Sequence, residues 1–299
     1  MFRNFEQVLD DARKLETKDL IVVKPEDRAI LIAINDAFQM GLIRPVLVGD
    51  KMKILDLLMD LGIRKDGYEI YNAVDPKDAS FMSVKLANKQ ENAILMKGHC
   101  QSRVFLEELL NKDYGLATER LISHIGVLDI PSYHKLLFIS DSVMNIQPSK
   151  EMKRSIIDNT FQFVKSVGIF KPKIALISAI EEVNDKIASS VDAEELVKEL
   201  RDHEEYYIGG PFSVDVAISH ESAKTKDINH VVAGDSDILV FPNIESSNTF
   251  YKSAVFLAGA IPAGLLLGAK SPVVLTSRSD TYKSKLYSIA LGVVSTDML

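Results

Sequence analysis

One stretch decides the fold of this chain: Val273-Val274-Leu275-Thr276-Ser277-Arg278-Ser279-Asp280. Its first three residues are β-branched or apolar and follow Pro272, which predicts a short buried strand. Beyond the stretch, apolar residues recur at i, i+3, i+4 and i+7 from Leu286 to Val293, which predicts an amphipathic helix. A polar turn between a strand and a helix presents backbone N–H groups and the positive helix end to an anion.

Two side chains of this turn suit an anionic ligand. Ser277 offers a hydroxyl, and Arg278 offers a planar cation that can bind phosphate or a developing oxyanion. A simpler interpretation is that Ser279 or Asp280 caps the helix and that Arg278 is a surface charge. The stretch by itself leaves both interpretations open.

Strand-like and helix-like segments alternate through most of the chain. This rhythm predicts an α/β fold with a parallel sheet covered on both faces. The predicted strands lie at residues 20–23, 45–50, 68–72, 93–98, 173–178 and 238–242, and the predicted helices at 25–41, 51–61, 78–88, 105–110, 152–167, 192–201 and 247–259.

The pattern changes after Gly115. Two strand-like segments, Ser123–Asp129 and Leu136–Asp141, are separated by a turn around Pro131. Their proximity predicts an antiparallel pair and a domain boundary nearby. Farther on, Gly209-Gly210-Pro211 predicts a turn at which the backbone can approach a ligand closely.

The bulk composition indicates a globular protein without general affinity for polyanions. The 299 residues are 46% hydrophobic and 26% charged, and the formal net charge is −7, so nucleic-acid and membrane partners are not expected. The single cysteine, Cys100, fits a reducing cytoplasm. The longest apolar run, Ala254–Ala269, contains three glycines and Pro262 and is too short for a membrane span. The first residues do not resemble a signal peptide.

Several common motifs are absent or incomplete. No Gly-x-Gly-x-x-Gly follows a strand, and the glycine spacing of Gly264–Ser271 is wrong for a P-loop. The six histidines show no i, i+4 pair, so no metal site is expected. A buried or incidental thiol at Cys100 is favoured over a nucleophile assisted by His99.

Several segments together resemble the phosphate acetyl/butyryltransferase family. The resemblance covers most of the chain from about Ala93 onward, and the run Ser284–Leu291 is more similar to the butyryl branch than to the acetyl branch. The segments that carry the resemblance are Thr118–His124, Phe138–Pro148, Gly209–Pro211, Val232–Lys252 and Gly268–Asp280.

This resemblance implies a reaction, a fold and an assembly. The reaction is reversible: acyl-CoA and phosphate give acyl phosphate and CoA, with CoA as a substrate and no tightly bound cofactor or metal. The implied fold is two α/β/α three-layer domains flanking a cleft, similar to isocitrate/isopropylmalate dehydrogenase. We place the first domain at 1–129 plus 273–299 and the second at 130–272. A homodimer or a multiple of it is expected.

The resemblance also assigns roles at the Ser-Arg pair. Ser277 is expected to hydrogen-bond the leaving sulfur or the phosphate, and Arg278 to stabilise developing negative charge. The acetyl-type pattern places an aspartate seven positions after the serine, as the base for the CoA thiol, whereas this chain has Ser284 there. Serine is no base without a partner, so the identity of the thiol base stays open.

Six further residues are candidates for substrate binding. Asp141 and Asn145 follow a strand, where a ligand is expected in an α/β sheet. Simpler roles are an Asx turn for Asp141, a helix cap for Asn248 and a solvated charge for Arg120. The candidates are Arg120, Asp141, Asn145, Gly210, Asn248 and Asp280.

Rival functions remain open from the sequence. The same fold could serve an acetyl-specific enzyme, an acyl-carrier-protein phosphate acyltransferase or a nicotinamide dehydrogenase. A protein that binds CoA or phosphate without catalysis is a further alternative, since fold alone never establishes chemistry. A butyryl or branched short-chain substrate is the specificity that we expect.

Overall fold

The computed structural model describes residues 2–277 and 279–296 of the chain. The described residues form a mixed α/β fold, as predicted. The strands are β1 (Lys18–Val23), β2 (Ile43–Gly49), β3 (Glu69–Asn72), β4 (Ala93–Lys97), β5 (Ser123–Asp129), β6 (Leu137–Ser140), β7 (Lys173–Ile177), β8 (Tyr207–Phe212), β9 (Ile238–Val240), β10 (Ile261–Leu267) and β11 (Val273–Val274). The helices are α1 (Phe5–Ala12), α2 (Arg28–Gln39), α3 (Lys51–Asp60), α4 (Pro76–Asn88), α5 (Ser102–Leu109), α6 (Lys150–Ser166), α7 (Ala188–Leu200), α8 (Val214–Ile218), α9 (His220–Thr225), α10 (Ile244–Phe256) and α11 (Tyr282–Thr296).

The chain divides into two compact units. The terminal unit comprises Phe5–Ile122 and Ala263–Leu299, and the central unit comprises Met1–Asn4 and Ser123–Pro262. Each unit is therefore built from two segments of the chain. The domain boundaries expected from the sequence, after residue 129 and before residue 273, stay a prediction.

The terminal unit is built on strands in the order β3-β2-β1-β4-β11-β10. Neighbouring strands are parallel except for β10 and β11, which pair antiparallel. Every residue of β4 is buried, so both faces of the sheet are covered at its centre. Because β1, β4 and β11 are parallel, their carboxyl ends share one edge, which we call the carboxyl edge.

Aspartates begin three helices of the terminal unit directly after a strand or a short loop. Asp27, Asp50 and Asp75 each accept a hydrogen bond from a backbone N–H in the first turn of α2, α3 and α4, respectively. A cap of this kind stabilises a helix by about 1 kcal/mol. These caps explain why each helix starts where its strand has just reached the edge of the sheet.

The central unit is built on strands in the order β5-β6-β9-β7-β8. β5 and β6 pair antiparallel, as predicted, and β6, β9, β7 and β8 are parallel. The core packs the strands against helices α8 and α10 through Ile139, Leu239, Phe212, Val216 and Tyr251. Its parallel strands also share a carboxyl edge, where β6 ends at Ser140 and β9 at Val240.

The prediction of a turn at Gly209–Pro211 is wrong, because these residues lie within β8. β8 is the last strand in the order, and a proline is tolerated on an edge strand. The glycines are needed for space: a Cβ on Gly209 would lie 2.6 Å from the ring of His230, and one on Gly210 would lie 2.7 Å from the carbonyl oxygen of Leu176.

Five described elements were not predicted: α1, β8, α8, α9 and β10. The apolar run Ala254–Ala269 contains the end of α10 and the whole of β10, and α1 precedes the first predicted strand. None of the helices in the described part of the chain has the length and apolar character needed to cross a membrane.

Candidate functional site

The turn that follows β11 closes upon itself. The Ser277 N–H donates to the Asp280 carboxylate (2.7 Å), and the Asp280 N–H donates to the carbonyl of Ser277 (3.1 Å). The Ser277 hydroxyl lies 3.0 Å from the hydroxyl of Ser279. Ser277 is half-buried, and the turn places its hydroxyl at the carboxyl edge of the terminal unit.

The helix after this turn is capped by Thr281 and not by Ser279 or Asp280. The Ser284 N–H donates to the Thr281 hydroxyl oxygen at 3.3 Å. The two hydroxyl oxygens of Thr281 and Ser284 lie 3.2 Å apart, and Ser284 is 1% exposed. The capping interpretation of Asp280 is thus wrong, and its carboxylate contacts Ser277 instead. Position 284 holds a buried serine that is engaged within the first turn of α11.

A buried lysine lies next to this turn. Lys285 is 3% exposed, and its ammonium donates to the backbone carbonyl of Asp280 at 2.6 Å. Burial lowers the pKa of Lys285 below its ordinary value, while the negative charges of Asp280 and Asp27 act in the opposite direction. The burial of Lys285 could not be recognised from the sequence, because nothing in the local pattern distinguishes a buried lysine from an exposed one in this helix.

Two cations were predicted from the sequence, Arg278 and Arg120. Arg278 lies outside the described residues, so its catalytic role stays a prediction. Arg120 is exposed, and its backbone N–H donates to the Thr118 hydroxyl, which donates to the carbonyl of Gly268. Gly268 lies in the β10–β11 turn, so this segment lies beside the start of β11, whereas Ser277 follows its end.

In the central unit, Asp141 orders the loop that follows β6. One carboxylate oxygen accepts the N–H groups of Val143 and Met144 at 2.8 and 2.9 Å. The other accepts the N–H of His124 at 3.0 Å and the side-chain amide of Asn145 at 2.7 Å. Asp141 is 3% exposed. With four donors already bound, its carboxylate shapes the loop, and Asn145 is held in place by it.

Asn248 fastens the same loop to α10. Its side-chain amide donates to the carbonyl of Ser142 at 3.1 Å, and the hydroxyls of Ser142 and Ser247 lie 2.8 Å apart. Asn243 caps α10 by accepting the N–H of Ser246, so the alternative role of Asn248 as a helix cap is wrong. Asp141, Asn145 and Asn248 are thus brought together by this loop, whereas Gly210 lies within β8.

His124 is a residue that sequence reasoning missed. It belongs to β5, and burial lowers the pKa of its imidazole from 6.5 to about 4, although the charge of Asp141 acts in the opposite direction. Its Nδ1 has no hydrogen-bond partner among the described residues. A buried nitrogen without a hydrogen-bond partner costs the folded protein free energy. The signal available from the sequence was its position in a β-branched strand next to Ser123.

The motif Gly234–Asp237 has a structural role at the opposite edge of the central sheet. The Lys135 ammonium lies 2.8 Å from the Asp235 carboxylate and 2.7 Å from that of Asp237, and Lys173 also pairs with Asp235. Burial would raise the pKa of Asp235, but hydrogen bonds from both lysines outweigh it and hold the pKa well below its ordinary value. We call these four residues the ionic cluster.

No group of three or more metal-ligating side chains occurs within residues 2–277 and 279–296. Cys100 is buried, at 6% exposed. The polar residues at the carboxyl edges are hydroxyls, amides, carboxylates and lysines. The donors among them, the hydroxyls, amides and lysine ammonium groups, suit the recognition of oxyanions and carbonyl groups.

A mixed α/β fold with polar side chains at the ends of parallel strands is typical of an enzyme that acts on small polar substrates. Comparison with known proteins defines the class further. The chain belongs to the family described as Phosphate acetyl/butaryl transferase, whose model matches residues 75–293, and the protein is accordingly a transferase.

Curated relatives and solved structures agree with this membership. The chain is 37% identical over 297 residues to a phosphate butyryltransferase from Clostridium beijerinckii, covering 98% of each chain. It is 36% identical to a phosphate acetyltransferase from Rhizobium meliloti, covering 97% of this chain and 92% of that one. A branched-chain phosphotransacylase from Enterococcus faecalis V583 has 30% sequence identity and a TM-score of 0.84, covering 93% of this chain and 99% of that one.

Proposed function

We propose that the protein is a phosphate acyltransferase that interconverts acyl-CoA plus phosphate with acyl phosphate plus CoA. The acyl group is butyryl or a branched short chain. The observation that carries this proposal is the Ser277–Asp280 turn: within a family of phosphate acyltransferases, it holds a half-buried hydroxyl in place after a buried strand. No metal is required for this chemistry.

The reaction proceeds by direct attack in a ternary complex. A phosphate oxygen attacks the thioester carbonyl, the C–S bond breaks, and CoA leaves as a thiolate that takes up a proton. Ser277 hydrogen-bonds the sulfur or the phosphate, and Arg278 stabilises the oxyanion. A preorganised donor of this kind contributes about 10²–10³ in rate.

The proposed substrate contacts are Asn145, Asn248, Arg120, Gly210, Asp141 and Asp280. Two amides, of Asn145 and Asn248, are held by hydrogen bonds to the Asp141 loop, which supports a binding role for them. Asp141 would act chiefly by ordering that loop. For Asp280, the contact with the Ser277 N–H supports a place in the reaction site.

The buried Ser284 supports a reaction without a base at that position. A thiol with a pKa near ~8.5 is already ionised to a few per cent at neutral pH. Acyl transfer to phosphate needs no thiol base at all, since CoA is then the leaving group. A base is therefore needed only in the reverse reaction, in which the CoA thiol attacks the acyl phosphate.

We further propose the setting of the enzyme. Each unit is taken as an α/β/α three-layer domain of the isocitrate/isopropylmalate dehydrogenase type, and the active form as a homodimer or a multiple of it in the cytoplasm. CoA serves as a substrate, and no cofactor is tightly bound.

An acyl-chain series tests the proposal. Purified protein is given acetyl-, propionyl-, butyryl-, isobutyryl- or isovaleryl-CoA, and thiol release is followed on addition of phosphate. We expect kcat/KM to be highest for the four-carbon or branched substrates. A clear preference for acetyl-CoA would favour the acetyltransferase alternative, which the 36% identity to the Rhizobium meliloti relative supports. Absence of phosphate-dependent release with all five substrates would overturn the proposal.

A further inference from the structure

Lys285 occupies a place that electrostatics disfavours. It lies in the first turn of α11, where the helix dipole is positive, and it is 3% exposed. A buried ammonium is costly unless it is compensated. Lys283, two residues earlier in the same turn, is exposed. Of these two lysines, Lys285 is the buried one.

The charges that act on Lys285 come from two places in the terminal unit. Asp280 precedes the helix, and Asp27 caps α2, which packs against α11. The carboxylates of Asp280 and Asp27 favour the charged form of Lys285, against the effect of burial.

A short path of hydrogen bonds joins Lys285 to Ser277. The ammonium donates to the carbonyl of Asp280 at 2.6 Å, and the carboxylate of Asp280 accepts the Ser277 N–H at 2.7 Å. Removal of the ammonium would leave that carbonyl without this donor. The turn that positions the Ser277 hydroxyl would then lose one of the contacts that hold it.

We propose that Lys285 is a positioning residue for acyl transfer, holding the Ser277–Asp280 turn through the carbonyl of Asp280 and keeping a positive charge beside it. This role rests on the proposed function. The side chain is too buried to be assigned a contact with substrate, so it acts through its neighbours. Its ammonium attracts the adjacent carboxylates of Asp280 and Asp27, which supports the closed turn.

Three variants test the proposal: Lys285→Met, Lys285→Arg and, as a matched control, Lys283→Met. Phosphate-dependent release of CoA from butyryl-CoA is measured at a temperature at which circular dichroism shows each variant to be folded. We expect Lys285→Met to lower kcat about 10- to 100-fold, because a small displacement of a positioned group has effects of this size. KM should change less than about 3-fold, Lys285→Arg should recover part of kcat, and Lys283→Met should stay within about 2-fold of wild type.

The comparison of kcat with KM separates positioning from general support of the fold. Loss of kcat at a nearly constant KM, with partial recovery in Lys285→Arg, is the result expected of a positioning residue. Unchanged kcat in Lys285→Met would overturn the role. Equal loss of kcat in Lys285→Met and Lys285→Arg would do the same.

Failure of the inference about Lys285 can be distinguished from failure of the proposed function. If Lys285→Met does not fold, Lys285→Gln replaces it, and equal turnover of the Gln and Arg variants overturns the role of the charge. If wild type releases no CoA from any acyl-CoA, the proposed function fails. Active wild type with a fully active Lys285→Met variant refutes only the inference about Lys285.

Discussion

The two carboxylates of the ionic cluster and the Ser277–Asp280 turn belong to segments that resemble the same family, yet their charges have different roles. In the ionic cluster, Lys135 and the two carboxylates that it contacts neutralise one another inside the central unit. In the turn, one carboxylate binds a backbone N–H and a half-buried hydroxyl stands beside it. A family motif can therefore mark a structural requirement as readily as a reactive one.

The edge of the sheet explains this difference. Asp235 and Asp237 precede β9 and lie at the amino ends of the parallel strands, whereas Ser277 follows β11 at the carboxyl ends. Ligands of open α/β sheets bind outside the carboxyl ends. The comparison predicts that changes in the ionic cluster reduce stability, and that changes in the turn reduce activity.

The largest effect is expected from Lys135→Met. Asp237 is 2% exposed and would keep a buried charge without its partner, so the free energy of unfolding should fall by about 3–5 kcal/mol. Urea denaturation measures this change. The control is Lys186→Met, at an exposed lysine of the same unit. A Lys135→Met variant as stable as the control would break the comparison.

Ser277→Ala provides the converse case. Turnover should fall by about 10²–10³, because the variant loses a donor held at the reaction site. The urea midpoint should stay close to that of wild type, because the side chain is small and only half-buried. Steady-state kinetics and denaturation are measured on the same preparations, with the exposed Ser132→Ala as control. Full activity of Ser277→Ala would refute its role.

His124 adds a third case to the comparison, because it is buried at the carboxyl edge of the central unit, where ligand binding is expected. Its pKa falls from 6.5 to about 4 on burial, so the folded protein keeps it neutral while the unfolded chain takes up a proton. This contribution to stability is complete above pH 6.5 and is lost as the pH falls towards 4, by up to about 1.4 kcal/mol per unit. His124→Asn should show a shallower decline over this range.

The pH dependence is measured by urea denaturation between pH 7 and pH 4.5. The control is His99→Asn, at an exposed histidine that should leave the slope unchanged. Equal slopes in wild type and His124→Asn would show that the imidazole titrates normally in the folded protein.

Thr281→Ala should have the smallest effect. The threonine hydroxyl accepts the Ser284 N–H at the start of α11, and loss of such a cap costs about 1 kcal/mol. Thr281→Ser keeps the hydroxyl and should keep the stability in thermal and urea unfolding. If Thr281→Ala is as stable as Thr281→Ser, the hydroxyl does not act as a cap.

Local patterns in the sequence predicted most of the strands and helices, but β10 was missed. Its sequence, Ile261-Pro262-Ala263-Gly264-Leu265-Leu266-Leu267, contains a proline and a glycine that disfavour a strand. Pairing with β11 decides its structure, with Leu265 opposite Val274. Interactions between distant segments override local propensity here, and a single sequence does not display them.

At the candidate site, the sequence predicted where residues lie in the fold better than it predicted what their side chains contact. It placed Asp141 at the end of a strand, which is correct, but the four donors on its carboxylate come from folding. It left a helix cap open for Asp280, although the neighbouring Thr281 takes that role. Burial of His124 and Lys285 depends on the packing of several elements, so no local pattern announced it.

The discontinuous terminal unit constrains the order of biosynthesis. β11 lies between β4 and β10 in its sheet, but its residues leave the ribosome after the whole central unit has been made. Domains generally fold as units while the chain emerges. Until Val273 and Val274 are translated, one edge of β4 in the nascent terminal unit therefore lacks its neighbouring strand. During that interval an open strand edge is available to chaperones or to wrong partners.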